Sequence, residues 1–389
     1  MLIPTLSTTL PVVKSLPECA SFSQTVSPYI PQLYNLPHQL LAHYNDVPAL
    51  KHLYLTTNPL ITAFAFANFI LAPTALIAGE VNNNYSQVDR VWSIIPVLFN
   101  CHYALWAHLN GLPTTRLDHV MALTILWGAR LTFNYWRKGG YQIGSEDYRW
   151  VVVRKYAGRW MFLFNVIFIS FAQSLLLFLI TTPTYILLLT SLVPSSPQTS
   201  NLDTYDSIFS KLIFSLIILE TLADQSQWSF HRAKSHYQRH ARVDPKYNYT
   251  RDQLDLGFNT AGLFAISRHP NFLAEQAIWV SLYQWACCAS YTWVNWTVAG
   301  AAGYLALFQG STAFTEMITR GKYPMYAVYQ RRVGKFLPWG RTRGMGEPLN
   351  KEEKRVLEEA ERKIEAQRQR EKESEGGKVG KGNGKERRK

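Results

Sequence analysis

Residues 60–80 read LITAFAFANFILAPTALIAGE, and the only charge in the run is its last residue, Glu80. About 20 mostly apolar residues make a helix long enough to cross a bilayer, so the stretch predicts a span over Leu60–Ala78. Six further segments have the same character: Val91–Asn110, Asp118–Asn134, Met161–Leu179, Ile208–Ala223, Asn271–Ser290 and Trp293–Phe314. Hydrocarbon offers no partner for backbone N–H and C=O groups, so such segments must be helical. The expected fold is all-α, a polytopic transmembrane bundle of about seven spans. Past Leu179 the chain stays apolar to Val193, with Pro183 inside the stretch. A tail of the fourth helix, a re-entrant segment and an eighth span all fit that pattern.

The slightly negative mean hydropathy hides this division, because charged residues dominate from Lys351 to Lys389 while the middle is apolar. Three parts follow: an N-terminal segment over 1–58, a transmembrane domain over 59–340 and a charged tail over 341–389. Twelve Trp, 21 Tyr and 20 Phe suit spans flanked by aromatic belts. Cys19, Cys101, Cys287 and Cys288 have neither metal spacing nor easy disulfide geometry, and no metal site is expected. The first 50 residues, rich in Pro, Ser and Thr, lack the basic region and apolar core of a cleavable signal peptide. The first span then does the targeting.

The connecting loops set the orientation. Arg137–Arg159 holds six Lys/Arg against two acids, and His231–Asp255 holds six against three. With seven spans both loops lie on the side of the basic tail, and the positive-inside rule puts that side in the cytosol. The tail reads as a charged helix over Lys351–Arg370 followed by a Gly/Lys-rich end. Its many acids argue against nucleic acid as a partner, and attraction to anionic headgroups is its further expected role.

Ionisable groups inside membrane helices are costly and mark function. Glu220, Asp224, Gln227 and His231 share one helix face, as do Gln309, Thr312, Glu316 and Arg320 on the last span. Arg130 and Asn134 pair on the third span, and Asn271 and Glu275 on the sixth. All four sets sit at the cytosolic ends of their helices, where they must face one another or a water-filled pocket.

The segment Ser267-Arg268-His269-Pro270-Asn271-Phe272-Leu273-Ala274-Glu275 is the most informative. Pro270 suits the first helical position, and the helix N-terminus beside Arg268 and His269 is a place for a phosphate or other anion. One turn deeper, Asn271 and Glu275 are placed to hydrogen-bond an amide or a ribose.

This motif resembles that of the C-terminal domain of the steroid 5-alpha-reductase family and related membrane reductases. So does Lys322-Tyr323-Pro324-Met325-Tyr326 followed by Leu337-Pro338, and so does Asp224 in Glu-Thr-Leu-Ala-Asp-Gln. Val-Asp-Arg-Val-Trp-Ser at 88–93, Trp-Gly-Ala-Arg-Leu-Thr at 127–132 and Glu-Asp-Tyr-Arg-Trp at 146–150 are most similar to that superfamily's poorly characterised branch of unknown function. The likeness covers roughly residues 85–340. It implies an endoplasmic reticulum or similar membrane, a cytosolic C-terminus and NADPH in a cytosol-facing cavity. By position, Asn271 and Glu275 would contact the cofactor with Asp224 beside them. Arg130 would stand near the nicotinamide or the phosphates. Arg268 and His269 would serve its anionic part, and Tyr323, Arg331 and Arg332 would close the pocket. The missing G-x-G-x-x-G does not count against a dinucleotide, since the family does not use the doubly wound fold.

The chain departs from the family at the substrate. Trp127 stands where a tyrosine three residues before Arg130 is expected, and the second span holds no Glu, which puts a 3-oxo steroid in doubt. Tyr103, His102, His108 and Tyr135 are candidate replacement proton donors. The expected activity is reduction of a C=C bond in a steroid-like or other lipid substrate with NADPH. An S-adenosylmethionine-dependent membrane methyltransferase, related through its Arg-His-Pro region, and a non-enzymatic lipid-binding protein are the alternatives.

Overall fold

A computed structural model describes residues 9–194, 202–338 and 344–382. Among them every regular element is helical, and Ser267 and Gly334 form an isolated parallel bridge. In chain order the main helices are α1 (Ile30–Ala42), α2 (Val47–Thr56), α3 (Pro59–Val81), α4 (Ile95–Leu109), α5 (Thr115–Arg137), α6 (Tyr148–Thr190), α7 (Thr204–His240), α8 (Pro270–Ala289), α9 (Val298–Lys322), α10 (Tyr326–Arg332) and α11 (Lys351–Gly382). Each of the seven apolar segments falls mostly on one of these, although Val91–Asn110 starts before α4 and Trp293–Phe314 before α9. Two helices, α3 and α6, are long and apolar enough to cross a membrane. The charged tail helix starts at Lys351 as expected and continues past Arg370 to Gly382.

The chain forms two compact units. The first comprises Met1–Ile218 and Ala274–Leu307, the second Leu219–Leu273 and Phe308–Lys389.

In the first unit α4 and α5 pack so closely that a side chain at Gly128 has no room. A Cβ there would lie 2.5 Å from Val97 and 2.7 Å from the Ser93 carbonyl oxygen. The Ser93 and Thr132 hydroxyls bond across the same seam at 2.7 Å. Phe64, Phe66, Phe99 and Phe178 join α3, α4 and α6 through edge-to-face rings. α3 has a π-helical turn at Phe66–Leu71 and α6 another at Asn165–Ala172. Asn165 donates to the Glu80 carboxylate at 2.7 Å, which gives the one charge of the opening segment a partner. Arg116 forms a two-bond ion pair with Asp206 (2.7 and 2.9 Å), to which Trp285 adds a third donor at 2.7 Å.

The apolar stretch after Leu179 resolves here into the helix Thr182–Thr190, buried at every position. A helix with no polar face is one surrounded on all sides, and this one is surrounded by protein. By contrast α3 exposes Phe69, Ile70 and Ile77, and α6 exposes Phe162 and Ile167. Exposed apolar faces of this kind call for cover, and both lie on the two helices apolar enough to cross a membrane.

The second unit has two aromatic cores. Phe258, Tyr326, Tyr329 and Val333 form one; Phe230, Ala233 and Leu254, flanked by Tyr237, Tyr247 and Tyr249, form the other. α11 is held at its start by Arg332, which is 1% exposed. Its guanidinium takes both Glu353 oxygens (2.9 and 2.8 Å) and the carbonyls of Gly344, Glu347 and Pro348. Asn350 caps the helix reciprocally with Glu353 at 2.8 and 2.9 Å.

Candidate functional site

In the first unit the polar centre is Glu275, which is buried. Trp127 donates its indole N–H to one carboxylate oxygen at 2.8 Å, and Trp279 and Tyr304 donate to the other at 3.0 and 2.6 Å. The Arg130 guanidinium stands 3.5 Å away. Three donors from α5, α8 and α9 thus meet one carboxylate, and charge-assisted bonds of this kind are among the stronger ones. An indole N–H donates a hydrogen bond but does not give up its proton, so Trp127 serves Glu275 and does not stand in for a proton-donating tyrosine. Tyr304 was not read from the sequence. Its one signal there is a hydroxyl within an apolar helix, which needs a partner when buried.

The predicted proton donors differ in their freedom. His102 accepts no further role easily: its Nε2 bonds the Pro59 carbonyl and its Nδ1 the Tyr54 hydroxyl, both at 2.9 Å. A carbonyl only accepts, so Nε2 carries the proton and Nδ1 takes the tyrosine's. Both nitrogens are engaged. His108 pairs with Asp118 at 2.9 Å on an exposed edge. Tyr135 is half-buried against Tyr141 and Gly140. Tyr103 is fully buried beside Tyr185, and its hydroxyl makes no well-formed hydrogen bond among the described residues.

In the second unit, α8 begins at Pro270, as its position after Arg-His predicts. Arg268 is not open to a phosphate, however. Its guanidinium bonds both Glu316 oxygens (2.7 and 3.2 Å) and the Gln330 and Val333 carbonyls. His269 reaches the same carboxylate at 2.9 Å, and Gln330 adds a bond of 2.9 Å. Glu316 lies two residues past the seventh apolar segment. Burial works to raise its pKa, but the bonds from His269 and Arg268 and the guanidinium's charge outweigh it and hold the carboxyl at about 2. Arg331 pairs with Glu352 and Arg332 with Glu353. The sequence placed Arg268, His269 and Arg331 on an anion; here each is bound to a glutamate, a pairing no local spacing reveals.

What the second unit does present is one face of α7. Asp224 accepts a hydrogen bond from the Asn271 amide at 3.1 Å. One turn on, the buried Oε1 of Gln227 has no hydrogen-bond partner among the described residues. Lys234, seven residues further, donates to the Tyr323 hydroxyl at 2.6 Å and to the Gly257 carbonyl at 2.7 Å. Its ammonium lies 4.6 Å from the Tyr323 ring centre, and that of Lys322 lies 5.5 Å away. Gly257, at φ +83°, leaves the space this ring fills: a Cβ would come within 2.3 Å of it. Burial pushes the Tyr323 phenol up, but the bond and charge of Lys234 outweigh that and hold it below its usual range. Lys234 was missed, although it continues the stripe Asp224, Gln227, His231 by three residues on the same face.

A family model described as "Protein of unknown function (DUF1295)" matches residues 75–333. An uncharacterized protein of Schizosaccharomyces pombe is 40% identical over 335 residues, covering 86% of this chain and 94% of its own length. No solved structure matches.

Proposed function

The chain belongs to this DUF1295 family of unknown function, and from that footing we propose that it is an integral membrane reductase that uses NADPH on a C=C bond of a steroid-like or other lipid substrate. The observation that carries the proposal is the α7 face: the Asp224–Asn271 pair, the unpartnered Gln227 acceptor and the Lys234–Tyr323–Lys322 group. From Asp224 to Lys234 the face runs ten residues, roughly 15 Å of helix, a length suited to an extended dinucleotide.

The residues fit the cofactor. Asp224 and Asn271 together accept from and donate to ribose hydroxyls or a carboxamide. Gln227 Oε1 is a buried acceptor that lacks its O–H or N–H, and such an atom is costly unless something fills the need. An ammonium has three donors; Lys234 uses two on Tyr323 and Gly257, which leaves one for a phosphate beside Lys322. When bound, NADPH supplies the hydride to one carbon of the double bond. The chain's residues bind, orient and keep water out. A side-chain hydroxyl gives the second carbon its proton. The similarity of the Arg-His-Pro and Lys-Tyr-Pro segments to steroid 5-alpha-reductases supports the reaction class, seven spans, an endoplasmic reticulum membrane and a cytosolic C-terminus.

The test is NADPH binding by detergent-purified protein. Wild type is expected to bind, with Asn271→Ala and Gln227→Leu weakening binding and Lys234→Met narrowing the preference for NADPH over NADH. Absence of NADPH binding by folded wild type, with S-adenosylmethionine retained, would replace the reductase by a methyltransferase.

A further inference from the structure

A second polar feature of the second unit lies outside the α7 face. Where the end of α9 meets α11 there is a cavity of ≈ 500 Å³, lined among others by Glu316, Met317, Arg320, Ala360, Lys363 and Ile364. Its walls are of two kinds. Met317, Ala360 and Ile364 make an apolar side, and Arg320 and Lys363 bring cations from the two helices. Glu316 adds no net repulsion for an anion, because Arg268 and His269 already hold its carboxylate. Arg320 makes no close side-chain hydrogen bond or ion pair among the described residues, and its charge acts from a distance on the same Glu359 carboxylate that Lys363 holds. Lys363 is held by Glu359 at 2.6 Å in an exposed pair, and pairs of that kind exchange at little cost.

We propose that this cavity is a headgroup site for an anionic phospholipid. The phosphate lies between Arg320, whose planar guanidinium takes two oxygens, and Lys363, released from Glu359. The glycerol and first methylenes rest on Met317, Ala360 and Ile364. The depth argues for lipid over a soluble anion. Met317 and Arg320 stand three and six residues beyond Phe314, the end of the seventh apolar segment, so roughly 5–9 Å along the helix. That matches the headgroup layer, about 5–8 Å thick on each side of the hydrocarbon. The inference rests on the membrane part of the proposed function but not on its chemistry.

The experiment is native mass spectrometry of the full-length protein in detergent, offered equal phosphatidic acid and phosphatidylcholine, with NADPH binding measured in the same preparations. Wild type is expected to retain phosphatidic acid preferentially. Arg320→Gln and Lys363→Gln should each lower that retention about tenfold. Glu359→Gln should raise it, and Arg362→Gln, equal in charge change but outside the cavity, should leave it unaltered. Equal loss in Arg362→Gln would mean diffuse attraction to the tail and overturn the site. So would absence of preference in wild type, or displacement of the lipid by inorganic phosphate or 2′,5′-ADP. NADPH retained alongside any of these failures leaves the reductase reading intact, while loss of NADPH with lipid retained does the reverse.

Discussion

Replacing Glu316 by Gln keeps the shape of the side chain and removes the charge that Arg268 and His269 share. The Arg268 side chain is 9% exposed and that of Glu316 is 8%, so the substitution strands a buried guanidinium. Breaking a buried pair from one side costs about 3–5 kcal/mol. A second route to the magnitude agrees. A carboxyl lowered from 4.5 to about 2 contributes roughly 3 kcal/mol to the folded state. Because the folded value is the lower one, that contribution is complete above pH 4.5 and disappears as the pH falls toward 2. Unfolding in detergent, followed by tryptophan fluorescence across this range, should show Glu316→Gln destabilised by about 3 kcal/mol at pH 7. The gap to wild type should close as the pH drops from 4.5 to 2. A loss under 1 kcal/mol, or a gap that stays constant through the acid range, refutes the reasoning that this carboxylate ties Arg268 in place.

Other substitutions test separate parts of the fold. Gly128→Ala should destabilise by about 1–3 kcal/mol, measured as a lowered thermal midpoint, since its Cβ meets the Ser93 carbonyl just before α4 and the Val97 side chain on it. Gly310→Ala, with nothing within 4 Å, should not. Lys234→Met should move the Tyr323 phenol titration upward, read as phenolate absorbance against a Tyr323→Phe blank, because the cation that holds it down is gone. Arg332→Ala leaves Glu353 buried without its partner, and limited trypsin digestion should then cut the tail near Lys351 faster than in wild type.

Much of the architecture follows from local pattern. Seven apolar runs predict helices because unsatisfied backbone cannot sit in hydrocarbon, and all seven fall mostly on helices. Only α3 and α6 qualify as spans by apolar length, since α7, α8 and α9 carry the Glu, Asp, Gln and Arg residues that make them interesting. Pro270 opening α8 and the helix after Asn350 were equally readable, because caps are local. The partners of Arg268, His269 and Arg331 were not. A helical spacing shows which way a side chain points but not which residue 48 positions away answers it. Trp127 shows the same limit. Its substitution for an expected tyrosine was visible at once, whereas its role as donor to Glu275, 148 residues on, depended on packing.

The buried helix Thr182–Thr190 has a consequence for how the chain is made. The turn at Ile180–Thr181 sets these nine residues off from the rest of α6. They reach roughly 14 Å, so in the membrane reading proposed above they cover less than half of a bilayer core and have no stable resting place there on their own. Its neighbours must already be assembled before it can settle, which makes its docking a late event in biogenesis. Polar substitutions along it would therefore show up as poor yield and rapid degradation by quality control, with the surviving molecules working normally.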